Sequence, residues 1–318
     1  MSVLSAGSLA EPGSTPGAGD RRPVVVHEHP GVPGPLVFFA RAGATIWSNG
    51  KARAGVLILG FFVLMALFAP LIAPHDPSAT DFPPYLGPNS SNWFGTTGNG
   101  QDVFSQFVYG ARVSLLVGIA AGLGATFVAV VLGLVSGYRP GAVDAVIGFV
   151  TNLALVLPGI PLMIILAAYI PSHSVWTIVL VVTLTAWATG ARVIRSQAAT
   201  LRTRDFVRSA QFSGERLGRV VFREILPNMT SLVAASFFAA STAAVMAEAS
   251  LEFLGLGNPA TISWGTMLYQ AQQQNALLTG QWLMIFAPGL AIALLAMAFT
   301  LINFGVDVLS NPRLREKS

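Results

Sequence analysis

Uncharged apolar stretches, separated by short polar or glycine- and proline-bearing segments, dominate this chain. They run over Ala54–Pro74, Val113–Ser136, Ala145–Ile170, Val175–Ala191, Met229–Ala247 and Leu283–Val306. Each is near the length that crosses about 30 Å of hydrocarbon as a helix. None alternates as a barrel strand would, and backbone inside lipid must satisfy its own polar groups, so all six are predicted helices. Internal prolines (Pro158, Pro161 and Pro288) predict kinks or local unwinding. In the second stretch Gly118 and Gly122, Ala121 and Ala125, and Gly133 and Gly137 stand four apart. Small residues at that spacing share a helix face and predict close helix packing.

Ahead of these stretches, residues 1–35 are rich in Gly, Pro, Ser and Ala. They bury too little apolar surface to offset their ordering entropy, and a disordered tail is expected. Residues 36–53 turn apolar and aromatic and read as an interfacial segment lying on the membrane. Residues 54–318 then form a single six-helix transmembrane domain.

Composition agrees with that division. Hydrophobic residues make up 53% of the 318 and charged residues 10%, where soluble domains carry about 25%. So few charges cannot clothe a water-exposed surface, and the predicted class is an all-α integral membrane protein. Cysteine is absent, which excludes disulfides and thiolate chemistry. The net charge of +4 is a matter of topology. With a cytoplasmic N-terminus, every lysine and arginine except Arg112 falls on the inner side. Asp76, Asp81, Asp102, Glu248 and Glu252 fall outside. This is the positive-inside rule; it predicts a multi-pass membrane protein with both termini inside, and removes the case for nucleic-acid binding.

Several chemistries are missing. The middle of every predicted span is neutral, which argues against an ion-coupled transporter or proton pump. There is no HExxH and no GxSxG, and His27, His29, His75 and His173 lie in the tail or loops. Neither Lys51 nor Lys317 sits in a phosphate-binding G-x-x-x-x-G-K-[ST] pattern. No catalytic residue, metal site or cofactor is therefore assigned to this chain.

The segment from Arg195 to Asn228 is long for an inner turn and strongly basic. It reads as two short helices, DFVRSAQFSG and ERLGRVVFREILPN, reversing at Gly214, with Pro227 opening the next span. Val207, Ala210 and Phe212 set apolar side chains among arginines, which suits docking to a cytoplasmic partner. A basic helix held by anionic membrane lipid is the alternative.

This segment resembles the EAA loop of ABC importer permeases. Ala210, Gly214, Ile225, Leu226 and Pro227 fall in step with that pattern, while Arg208 and Ser209 replace its Glu and first Ala. FGTTGNGQDVFSQFVYGARVSLLVG (Phe94–Gly118) resembles the signature of dipeptide and oligopeptide permease C subunits. AEASLEFLGLG (Ala247–Gly257), followed by Ser263, Trp264 and Gly265, resembles another stretch of the same subunits, and the final span with its N-P-R-L end a third.

The resemblance covers about residues 36–315 and implies an ABC type I importer permease fold. It further implies an ATP-driven importer of di- or oligopeptides, with this chain forming half of the pathway. The implied partners are a homologous B-type permease, two cytoplasmic ABC ATPases carrying ATP and Mg, and an extracytoplasmic solute-binding protein. Nickel chelates, glutathione or another small solute are alternative cargoes within the family. A stand-alone channel or secondary transporter is the alternative of another class. The implied coupling residues are Val207, Arg208, Ser209, Ala210, Phe212, Gly214, Leu226 and Pro227. Asn152 and Pro158 are candidates to line the pathway, and Glu248 and Glu252, one turn apart, to stand at its outer mouth. For Asp102 and Arg112 the expectation is a loop-folding ion pair or a substrate contact.

Overall fold

A computed structural model describes Trp47, residues 49–170 and residues 174–310. The expected tail 1–35, and residues 36–46 and 48 of the expected interfacial segment, lie outside the described residues. Helix α1 (Gly50–Leu67) starts four residues ahead of expectation, because Asn49 caps it by accepting from the Lys51 and Ala52 amides. A one-turn α2 (Ala69–Ile72) follows. Helix α3 spans Val103–Tyr138, 36 residues. At about 1.5 Å per residue it is much longer than the hydrocarbon is thick.

The third apolar stretch is not one helix. It divides into α4 (Ala142–Val156) and α5 (Gly159–Tyr169), bent by 94°. Leu157 is extended at ψ 133°, as a residue before proline prefers, and Pro158 begins the new helix without an amide to satisfy. Helix α6 (Val175–Arg202) is continuous, and α7 (Asp205–Phe212) is a short separate helix. The chain then runs through one turn of α8 (Leu217–Arg219), a π-helical turn (Val220–Ile225) and a 3-10 turn (Leu226–Met229). It continues as α9 (Thr230–Phe253), α10 (Trp264–Gln273) and α11 (Leu283–Ser310). Among the described residues five helical segments are long and apolar enough to cross a membrane, six when α4 and α5 count as one broken span. Among the described residues the only bridge between extended segments joins Thr96 and Asp102.

Helix α3 occupies the centre, and its small residues explain why. A Cβ at Gly133 would sit 2.8 Å from Ile194 Cγ2 and 2.9 Å from the Ala191 carbonyl oxygen of α6. One at Gly137 would sit 2.6 Å from the Arg195 oxygen. One at Gly118 would meet Val245 of α9 at 2.5 Å. The four-residue spacing thus serves two neighbours, α9 through the first half of α3 and α6 through the second. Helix α11 packs on α9 and α1, where Phe62, Leu295 and Phe299 are buried.

At the end of the bundle opposite α7, the segment before α3 folds back on itself. Asp102 caps α3 by accepting from the Ser105 amide at 2.8 Å and hydroxyl at 2.6 Å, and from Asn92 Nδ2 at 2.9 Å. Its expected pairing with Arg112 does not form. Arg112 instead donates to the Ala66 carbonyl at 2.7 Å and lies over the Tyr109 ring. Asp102 is fully buried and consumed by the cap, so Arg112 turns to the free carbonyl at the end of α1.

Replacing Gly133 by Val should therefore force α3 and α6 apart, costing about 1–3 kcal/mol as other overpacked cores do. Gly289→Ala, whose new methyl would meet nothing within 4 Å, should be neutral or slightly stabilising. Thermal unfolding of the detergent-solubilised protein separates the two.

Candidate docking and coupling site

The basic segment between α6 and α9 is held by an apolar anchor. Val207 of α7 is fully buried and clusters with Val220, Val221 and Ile225 of the π-helical turn, Met229, and Ile194 and Ala198 of α6. This corrects the expectation that Val207 faces a partner. An eight-residue helix can bury only one narrow stripe, and Val207 supplies the stripe that faces the bundle. Ala210 is half-buried beside it, whereas Arg208 and Ser209 are exposed. Phe212 is 91% exposed. A fully solvated phenyl ring at the tip of a short helix has no intramolecular role.

The reversal after α7 is a Schellman motif. The Gly214 amide donates to the Gln211 carbonyl at 3.0 Å, and the Glu215 amide reaches back to Ala210 at 3.2 Å. Gly214 takes φ +74°, and nothing lies within 4 Å of where its Cβ would be. The requirement for glycine is therefore conformational and not steric. Around this tip Arg204, Arg208, Arg216 and Arg219 are exposed, and Glu215 lies 4.0 Å from Arg219. Leu226 and Pro227 sit half-buried in the 3-10 turn, and Leu226 packs against the same cluster. Proline lacks an amide hydrogen, so the helical ladder is interrupted where the π-helical turn hands over to α9.

Polar links fix this end of the bundle. Gln211 Nε2 donates to the Tyr138 hydroxyl at 2.9 Å, tying α7 to the end of α3. Arg195 grips Asp144 through two bonds of 2.5 and 2.8 Å, and the Ser136 hydroxyl donates to the same carboxylate at 2.5 Å. Bidentate geometry of this kind is strong and directional. Arg192 Nη2 donates to Asn152 Oδ1 at 2.8 Å. Asn152 is thus exposed at the rim of a cavity of about 370 Å³ between α3, α4 and α6, which Asp144 and Arg195 also line. Pro158 is exposed at the α4–α5 corner, away from that cavity.

The two glutamates are not at an open mouth. Helix α9 runs on through Phe253, so both lie on it one turn apart, and they are 0% and 1% exposed. Glu248 accepts from the Ser114 hydroxyl at 3.2 Å, and Glu252 is in close contact with the Ser263 hydroxyl. Ser263 also caps α10 in a reciprocal box with Thr266. The Trp264 indole donates to the Phe107 carbonyl at 3.0 Å. These carboxylates join α3, α9 and α10 from within. Sequence reasoning missed Ser114, Ser263, Asp144 and Arg195 as partners, since 51 residues separate Asp144 from Arg195 and 134 separate Ser114 from Glu248.

Residues 129–316, more than half the chain, match the family described as binding-protein-dependent transport system inner membrane component. The chain belongs to this family. Residues 38–89 also match the N-terminal transmembrane domain of oligopeptide transport permease C. Among relatives, the oligopeptide transport system permease protein OppC of Bacillus subtilis is 31% identical over 275 residues, covering 85% of this chain and 88% of that one. The dipeptide transport system permease protein DppC of the same organism is 33% identical over 273 residues, covering 84% and 83%. A putative peptide permease protein of Brucella suis is 32% identical over 286 residues, covering 89% and 93%. This permease is accordingly a multi-pass, non-catalytic membrane component of an ABC importer. Among its described residues no group of three or more His, Asp or Glu converges to hold a metal.

Because Val207 anchors the loop and Phe212 does not, truncating each to Ala should have opposite structural outcomes. Val207→Ala should loosen the loop by about 2 kcal/mol and speed proteolysis within residues 205–228. Phe212→Ala should leave proteolysis unchanged.

Proposed function

We propose that this permease imports di- or oligopeptides, and that α7 is the element through which cytoplasmic ATPases act on its spans. The observation that carries the coupling role is the pairing of a buried Val207 with a fully exposed Phe212 on one capped helix between α6 and α9. Such a helix is stiff at its base and open at its tip. An aromatic anchor ringed by arginines fits a groove on a partner with an apolar floor and an acidic rim. Helices α6 and α9 enter and leave the loop directly, so any displacement of α7 reaches both spans. Arg208 and Ser209, which depart from the family's Glu and Ala, stand on the exposed face. Being exposed, they leave the fold of the loop unaffected and face the side on which a partner would dock.

Peptide as cargo is supported by the relatives, which include an oligopeptide, a dipeptide and a putative peptide permease. The implied assembly contains a B-type permease, two ATPases holding ATP and Mg, and an external binding protein. The exposed arginines around α7 support a cytoplasmic position for that end by the positive-inside rule, with both termini on the same side. Asn152, held by Arg192 at the rim of the α3–α4–α6 cavity, and Pro158 at the α4–α5 corner belong to the moving inner end of the pathway. Glu248 and Glu252 support the outer end by holding α10 in place.

The test is Gly214→Val. Its side chain meets no obstacle, so the only penalty is a β-branched residue at φ +74°. Membrane insertion should be normal, while ATPase co-purification and peptide uptake should both fall. Wild-type levels of both in a fully inserted variant would remove α7 from the coupling role.

A further inference from the structure

A second cavity of about 370 Å³ lies between α6 and α9, with α3 as its floor. Gly190 of α6 and Ala239 of α9 leave its walls smooth, and Thr126, Thr189, Ser236 and Asn303 give it polar atoms without any ionisable group. Two of those atoms are unusual. Thr126 Oγ1 and Asn303 Oδ1 are buried and have no hydrogen-bond partner, and Thr126 as a whole is only 7% exposed.

A threonine inside a span normally closes its hydroxyl onto the carbonyl one turn back. Thr151, Thr185, Thr242 and Thr300 all do so, to Ile147, Val181, Phe238 and Ala296. Thr126 does not. A bare hydroxyl and a bare amide oxygen at membrane depth are costly unless something polar reaches them.

The chemistry narrows what that is. Asn303 Oδ1 is an acceptor and requires a donor, while the Thr126 hydroxyl can donate or accept. Lipid tails offer neither. A helix from a neighbouring subunit has already spent its backbone amides internally. An extended peptide has free N–H and C=O groups at every residue and, with no charge in the cleft, is met through its neutral amides. Walls of glycine and alanine admit side chains of many sizes without selecting among them.

We propose that this cleft is a stretch of the translocation pathway that carries the peptide main chain, with Asn303 accepting from a peptide N–H and Thr126 bonding beside it. The inference rests on the reading of this chain as a peptide-importer subunit.

The chain contains no cysteine, so Ala239→Cys introduces a unique thiol at the exposed wall of the cleft. In the assembled, ATP-driven transporter, a charged, water-soluble thiosulfonate should label it, and saturating alanine tripeptide should slow that labelling about fivefold or more. Thr126→Val and Asn303→Leu should each raise KM for tripeptide uptake by about fivefold while the amount of assembled transporter recovered with its ATPases is unchanged. Labelling only by a lipid-soluble maleimide would make the cleft a lipid face and overturn the inference. Cross-linking to the neighbouring permease with no labelling would make it a subunit interface, with the same consequence. Unprotected labelling, with tripeptide uptake by the unaltered transporter intact, overturns the inference alone. Absence of that uptake overturns the peptide reading beneath it.

Discussion

The architecture depends on how closely α3 can approach its neighbours. Burial of apolar surface gives no preference for helix against helix over helix against lipid, so packing distance decides which helices stay together. Gly133 and Gly137 let α6 come within backbone contact, and Gly118 leaves room for the Val245 side chain of α9. The two helices that flank the α7 loop are therefore seated on one common spine. Larger residues at these positions would replace a defined seam with a loose bundle, and the loop would have nothing stiff to push against.

Polar groups inside the bundle complete what the glycines begin. Each buried carboxylate has a nearby partner: Asp102 takes the first turn of α3 and Asn92, Glu248 takes Ser114, and Glu252 takes Ser263. These contacts fix α3, α9 and α10 at the end away from the loop. At the loop end, Asp144 with Arg195 and Ser136 fastens α4 to α6 and α3. Between the two fastened ends lies the cleft with Thr126 and Asn303, where satisfaction is incomplete.

Much of this was legible in the residues, and the failures have definite causes. Apolar length identified the spans, because a membrane imposes a minimum length that few soluble segments reach. The four-residue spacing of small residues located the packing seam, and Gly214 was readable as a reversal requiring positive φ. The facing of Val207 was not readable, since eight residues make barely two turns and both sides of α7 carry apolar side chains. Glu248 and Glu252 read as residues of an outer mouth because the apolar stretch ends at Ala247. Their partners, Ser114 and Ser263, lie in other helices, and no local pattern connects them. Pro158 signalled a kink, yet a bend of 94° depends on Leu157 taking extended backbone, which a kinked but continuous helix would not require.

The central claim is that α7 turns Val207 into the bundle and Phe212 out toward the ATPase. Single-cysteine cross-linking in the assembled transporter tests it, since the chain has no native cysteine. Phe212→Cys should cross-link to an ATPase subunit through a short bifunctional maleimide, and Val207→Cys should not. Efficient ATPase cross-linking from position 207, with none from position 212, would contradict the account.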